Sequence, residues 1–157
     1  MSMGNSLSEQ LSAKVGEIKQ IAAGMADDEA SKPKAEGEWS AKQVLSHLCG
    51  DTDALSMYEM KRFLNEDTPD LGLTPGNYGD ARKDESIAAL MSKIDTDYAE
   101  IGRFLAGLSD EQLARKAHIP FLKETPLGEY PTLGQWAGAV ITFHLTDHLN
   151  QLRALAQ

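Results

Sequence analysis

The sequence predicts an all-α protein built as a helical bundle. Three observations carry that prediction. Four long stretches place apolar residues at helical spacing. Strand-like alternation is almost absent. Four capping boxes, Ser6/Glu9, Ser40/Gln43, Ser109/Gln112 and Thr132/Gln135, mark helix starts. Amphipathic helices of this kind bury their stripes against one another, and a bundle is the simplest way to do so.

The first helix is expected to begin at Ser6 or Ser8. Its stripe is Leu7, Leu11, Val15, Ile18, Ile21 and Ala22. Residues 26–38 are polar, contain Pro33 and Gly37, and read as a connection. The second helix has the clearest start. Ser40 is the N-cap, Gln43 completes the box, and Trp39 with Val44 makes a hydrophobic staple. That start fixes the phase, so His47, Asp51, Ala54 or Leu55, and Tyr58 share the inward face. The helix is expected to run to about Leu64, before Asn65 to Pro69 stop it.

Residues 65–81 hold Pro69, Gly72, Pro75, Gly76 and Gly79 and form a long irregular connection. A segment of that length can travel the full length of a helix, so the helices on either side need not form a hairpin. It reads equally as a lid over a cavity or as a plain crossover. The third helix is expected over Arg82 to Ala106, with Ile87, Leu90, Met91, Ile94, Tyr98, Ile101, Phe104 and Leu105 as its stripe. Its task is core packing. Ser109 caps a short helix reaching about Arg115. Residues 116–131, with Pro120, Pro126 and Pro131, are extended or looped, with a short hairpin around Gly128. His118 lies there and reads as a loop histidine. Thr132 then caps the last helix.

The 157 residues suit a single domain over 1–157. No apolar run approaches the ~20 residues that span a bilayer. The first residues lack the charged and apolar regions of a signal peptide. A single cysteine, Cys49, allows no intramolecular disulfide. Together these point to a cytoplasmic location. A net charge of −9 argues against nucleic acid or an anionic membrane as a partner. No P-loop, dinucleotide fingerprint or nucleophile elbow is present.

One constellation carries chemistry. His144 and His148 are four residues apart, so they stack on one helix face, with Ile141 a turn before and Gln151 and Leu152 a turn after. Two inward imidazoles would repel each other if both were charged. A divalent metal bound by two neutral rings removes that problem, and separate hydrogen bonds to two structural histidines remove it too. A metal site in a bundle takes a third ligand from a facing helix. His47, on an inward face, meets that description, and His118 does not obviously do so. Three protein ligands with an open position is the arrangement of a catalytic zinc.

The stretch Glu38-Trp39-Ser40-Ala41-Lys42-Gln43-Val44-Leu45-Ser46-His47-Leu48 resembles the second-helix signature of the DinB-like superfamily. His144-Leu145-Thr146-Asp147-His148-Leu149-Asn150-Gln151-Leu152 resembles that family's C-terminal metal helix. The stretch from Ile119 to Thr132 is similar to the connection that precedes it. The resemblance implies a four-helix bundle, up-down-down-up, with the long loop after the second helix as crossover. It implies a divalent metal, zinc or nickel, on His47, His144 and His148. It also implies a small-molecule substrate, a low-molecular-weight thiol as co-substrate of a transferase, and a homodimer.

A metal held by three neutral imidazoles keeps its double positive charge. It can deprotonate a bound thiol or activate a bound water, so thiol transfer and hydrolysis are both open. Asp51, a turn beyond His47 in a continuous helix, is the candidate catalytic carboxylate, orienting an imidazole or shuttling a proton. Its alternative is a solvated carboxylate at a helix flank. Tyr58, two turns further, is expected in the core or lining the cavity. Gln151 is placed to hold the other nitrogen of His148 or to cap the bundle. Asp147 is expected at the surface, and Cys49 as a small buried residue. A non-catalytic bundle that binds metal or ligand, and a bundle whose histidines are purely structural, are the remaining readings.

Overall fold

The computed structural model describes residues 1–49, 55–73 and 79–157. Its helices are α1 Met3–Ala22, α2 Asp27–Ala30, α3 Ala41–Leu48, α4 Met57–Asn65, α5 Ile87–Ala106, α6 Asp110–Leu113, α7 Leu133–Ala139 and α8 Leu145–Leu155. A π-helical segment, Val140–His144, joins α7 to α8, so the three form one long rod. Among the described residues there is no strand, only two isolated bridges, Asp70 to His118 and Lys116 to Thr132.

The fold is a four-helix bundle. α1 packs on α5 and α8, and α3 packs on the same two, which closes the bundle. Gly4 and Ser8 of α1 meet Leu105 and Gly102 of α5, while Lys19 pairs with Asp95 at 2.9 Å. α1 and α5 are therefore antiparallel. Leu7 lies beside Gly138 and Glu17 beside Arg153, so α1 and the last rod run the same way. The predicted stripes fill the core: Leu7, Leu11, Val15 and Ile18 from α1, and Leu90, Ile94, Ile101 and Leu105 from α5.

Several boundaries differ from the sequence reading. α1 begins one turn earlier than expected, with Ser2 as the cap accepting from Asn5 N–H. The extra turn brings Gly4 against the α5 backbone, and that packing decides among the three nearby serines. α5 begins at Ile87, not Arg82, because Ser86 caps it through the Ala89 amide. The second helix is not continuous to Leu64. α3 ends at Leu48, Cys49 takes extended backbone, and α4 starts afresh on a Ser56 cap. The phase set at Ser40 is lost at that break. Met60 and Phe63 are the buried residues of α4, and Tyr58 is 71% exposed instead of packed inside.

The hairpin expected around Gly128 is a looser pairing. Ala117 and Ile119 amides donate to Pro131 and Glu129 carbonyls, a short 3-10 turn occupies Pro120–Leu122, and Gly128 takes a left-handed φ of 72°.

Gly4 makes the closest approach among the described glycines. A Cβ there would lie 2.2 Å from the Leu105 carbonyl oxygen, which belongs to the backbone of α5 and cannot move aside cheaply. Gly4→Ala is expected to cost about 1–3 kcal/mol in urea unfolding, through forced separation of the two helices. Gly102→Ala meets only the Ser8 hydroxyl, at 3.2 Å. It should cost less, because one rotamer change relieves it and alanine favours the helix.

Candidate metal centre

α3 brings the first ligand candidate. Ser40 Oγ accepts from the Gln43 amide at 3.2 Å, and Gln43 Oε1 accepts from the Ser40 amide at 2.8 Å. This box starts the helix with Val44 and Leu45 fully buried and turns His47 inward, at 7% exposure. Cross-links from other elements hold the helix. Lys42 Nζ reaches Asp27 at 3.3 Å, and the same Asp27 oxygen accepts from the Ile87 amide at 2.8 Å. That backbone hydrogen bond, with Lys42 second, holds the Asp27 carboxyl below its ordinary pKa. Gln43 donates to Asp80 at 2.9 Å, and the Arg82 amide donates to Ser46 Oγ at 2.8 Å. The end of the crossover therefore lies along α3. Gly79 is pressed against it, where a Cβ would sit 3.1 Å from the Gln43 carbonyl and 3.2 Å from Trp39.

The last rod brings the other two candidates. Leu133, Ala137, Ile141, Leu145 and Leu149 are all buried and spaced by four. In an α-helix a four-residue step overshoots a full turn by about 40°, so such a stripe would drift off one face. The wider π segment, whose closing bond runs from Leu145 N–H to the Val140 carbonyl, offsets that drift. His144 and His148 each precede a buried leucine. They are half-buried on the flank of the stripe, not centred on it as expected.

The structure brings His47, His144 and His148 together. One ring nitrogen from each lies within 4.8 Å of the others. Ring centroids are 4.6 Å apart for His144 and His148, 4.7 Å for His47 and His148, and 5.4 Å for His47 and His144. The rings stand edge-on to one another, at 61° to 84°. Nitrogens around a tetrahedral zinc are about 3.3 Å apart, from bond lengths near 2.0 Å. Small side-chain rotations close the difference. His148 Nδ1 contacts Gln151 Oε1 at 3.0 Å. An amide oxygen there accepts from Nδ1–H, which leaves the Nε2 lone pair to the centre. The donor set suits a divalent metal: three imidazoles from α3 and the last rod, one ring buried and two half-buried.

The other expectations divide. Gln151 holds His148, as the spacing suggested. Cys49 is buried, its Sγ donating to the Leu45 carbonyl at 3.5 Å, and Asp147 is exposed. Asp51 lies outside the described residues, and the spacing argument for it assumed a helix that ends at Leu48. Tyr58 belongs to the surface of α4. His118 stands apart, bonded to Asp70 and Glu129. Trp39 is the site residue that sequence reasoning took only for a staple. Its ring lies 5.2 Å from that of His47 and stacks at 9° on His148, centroids 6.4 Å apart. Its position just before the Ser40 cap, about two turns before His47, was the available signal.

The family model of the DinB superfamily matches residues 10–152. The fold is similar to that of YfiT from Bacillus subtilis, described as a probable metal-dependent hydrolase with an unusual four-helix bundle topology. That match has a TM-score of 0.78 at 22% identity and covers 98% of this chain and 85% of that one. No curated protein matches the chain.

Ser40 sets the register on which His47 depends. Ser40→Ala removes the acceptor for the Gln43 amide and is expected to cost about 1 kcal/mol in denaturant unfolding. Ser40→Asp, which restores an acceptor, should recover most of that loss.

Proposed function

The chain belongs to the DinB superfamily, and from that membership we propose that His47, His144 and His148 together hold a catalytic divalent metal, zinc or nickel. The observation that carries the reading is the convergence of three imidazole nitrogens from α3 and the last rod within 4.8 Å. Such an ion supplies Lewis acidity, lowering the pKa of a thiol or water that enters its open position.

The chain's own residues prepare for that role. His47 is buried, so packing fixes the place of its ring. Gln151 fixes the tautomer and the ring plane of His148. Trp39 packs its ring beside both His47 and His148. His144 and His148 are half-buried, so part of each ring stays exposed.

Two reactions fit. The first is transfer of a low-molecular-weight thiol to an electrophilic small molecule, supported by the family resemblance and by three neutral ligands that leave the metal its full charge for an anionic thiolate. The second is hydrolysis, supported by what is said of YfiT. Metal-loaded protein offered an aryl halide or epoxide with candidate thiols, and separately ester and amide substrates without thiol, distinguishes them. Metal-dependent conjugation is the expected outcome. Turnover of esters or amides without thiol would put hydrolysis first.

Metal analysis after equilibration with zinc or nickel tests the site itself. Wild type should retain the ion through desalting, and the His144→Ala, His148→Ala double variant should not. Equal metal content in both would end the assignment. Gln151→Leu keeps all three ligands and loses only the support of His148. It is expected to weaken metal affinity by about 10–100-fold, read by competition with a chromogenic chelator.

A further inference from the structure

His118 is the one histidine outside the triad, and its surroundings are of a different kind. Its Nδ1 bonds Asp70 Oδ1 and its Nε2 meets Glu129 Oε2 at 3.1 Å. A neutral imidazole has one N–H and one lone pair, and an ionised carboxylate only accepts. Both contacts are satisfied together only when the ring carries two protons. The ring also stacks on Tyr130, centroids 4.7 Å apart at 19°. Because the two nitrogens face different carboxylates, they do not converge on a common ion. Among the described residues, the converging ligand cluster is the other three histidines.

The three partners come from different parts of the chain. Asp70 lies on the crossover after α4, while His118 and Glu129 lie on the two limbs of the connection before α7. Backbone bonds join them. The His118 amide donates to Pro69 O at 2.8 Å, the Leu71 amide to His118 O at 2.9 Å, and the Ile119 amide to Glu129 O at 2.8 Å. Leu71, next to Asp70, is fully buried, so this junction anchors the crossover in the core. The far end of the same crossover lies on α3 at Gly79, against Trp39.

We propose that His118, Asp70 and Glu129 form a protonation-dependent latch that fastens the crossover to the connection ahead of the last rod. With the ring doubly protonated, both carboxylates are engaged and the junction is closed. Loss of one proton turns one contact into a lone pair facing a carboxylate, and that limb is released. The charged groups on the adjoining segments include the cations Arg62, whose guanidinium donates to the Asp70 carbonyl at 3.2 Å and is paired with Glu66, and the exposed Lys116 two residues before the ring, with Arg115 bonded to the Glu66 carbonyl. The cations oppose protonation, and the two directly bonded carboxylates outweigh them. Asp70 first and Glu129 second hold His118 above the ordinary imidazole pKa. The stabilisation is therefore full below the unfolded value of about 6.5 and is lost as pH rises through the higher folded value. No part of the latch depends on a metal in the triad.

The test is an imidazole NMR titration of metal-free protein, combined with amide hydrogen exchange at each pH, corrected for intrinsic rates. His118 should titrate above the ordinary imidazole value, and Asp70→Asn and Glu129→Gln should each lower that midpoint. Protection of the His118 and Leu71 amides should fall severalfold across the same transition, while Leu90 and Ile94 amides in α5 stay unchanged. In His118→Gln, with helix content checked by circular dichroism, the two junction amides should be weakly protected at every pH. A His118 midpoint at or below the ordinary value, or junction protection constant through its titration, would overturn the latch.

Discussion

The candidate centre depends on an eight-residue helix keeping its phase. α3 carries His47, and isolated helices shorter than about 12–15 residues are marginal in water. Its own cap supplies the first restraint. The others come from elsewhere: Asp27 on α2 pairs with Lys42, the Arg82 amide bonds Ser46, and Gly79 lies flat on the first turn. Asp27 bridges further, accepting from the first amide of α5. Thus the position of one buried imidazole is fixed by the meeting of α2, α3, the crossover and α5. The crossover, whose role the sequence left open between lid and plain connection, is in its described part a brace for α3.

What was legible in the sequence was written in short-range rules. A serine or threonine with glutamine three residues on gave the starts of α3, α6 and the last rod, and all three boxes are present. A four-residue histidine spacing gave the pair on that rod. His47 followed because its helix start was correctly phased over less than two turns. Beyond Leu48 the same phase argument fails, and Tyr58 is where the failure shows. The fresh start at Ser56 carries the same kind of signature, with Glu59 three residues on and Ser56 Oγ accepting from the Glu59 amide, but it was passed over for a continuous helix. At α1 the local signature misleads, because Ser6 with Glu9 has the capping-box pattern while the cap used is Ser2. The choice of Ser2 is made by contact with Leu105, more than a hundred residues away.

The last rod shows a subtler limit. Read as an ordinary helix, it places both histidines on the apolar stripe. The stripe itself is spaced by four through Leu133, Ala137, Ile141, Leu145 and Leu149, which an α-helix cannot keep on one face. The π segment reconciles that spacing with a straight packed rod and leaves His144 and His148 on the flank. The displacement matters for chemistry. Centred on the stripe, the rings would be sealed in the core; on the flank, they meet buried His47 while staying half-exposed themselves. The strict four-residue spacing was visible in the sequence, and only its conflict with 3.6 residues per turn gave it meaning.

The chain uses histidine in two incompatible ways, and the neighbours decide which. At His118, acceptor oxygens stand at both nitrogens, so the ring holds two protons and has no lone pair to give. Around the triad, the converging ligand-type side chains among the described residues are imidazoles only. Three rings within contact of one another cannot all be charged without mutual repulsion. His148 gives its Nδ1 proton to an amide oxygen, a partner that accepts without adding charge. An amide at that position favours the neutral ring with a free Nε2, where a carboxylate would have favoured the imidazolium when no metal is bound. The difference between Gln151 and Asp70 as hydrogen-bond partners is therefore a difference between preparing a ligand and closing a salt-bridged junction. It explains why four histidines in one small bundle separate into a set of three and one that stands apart.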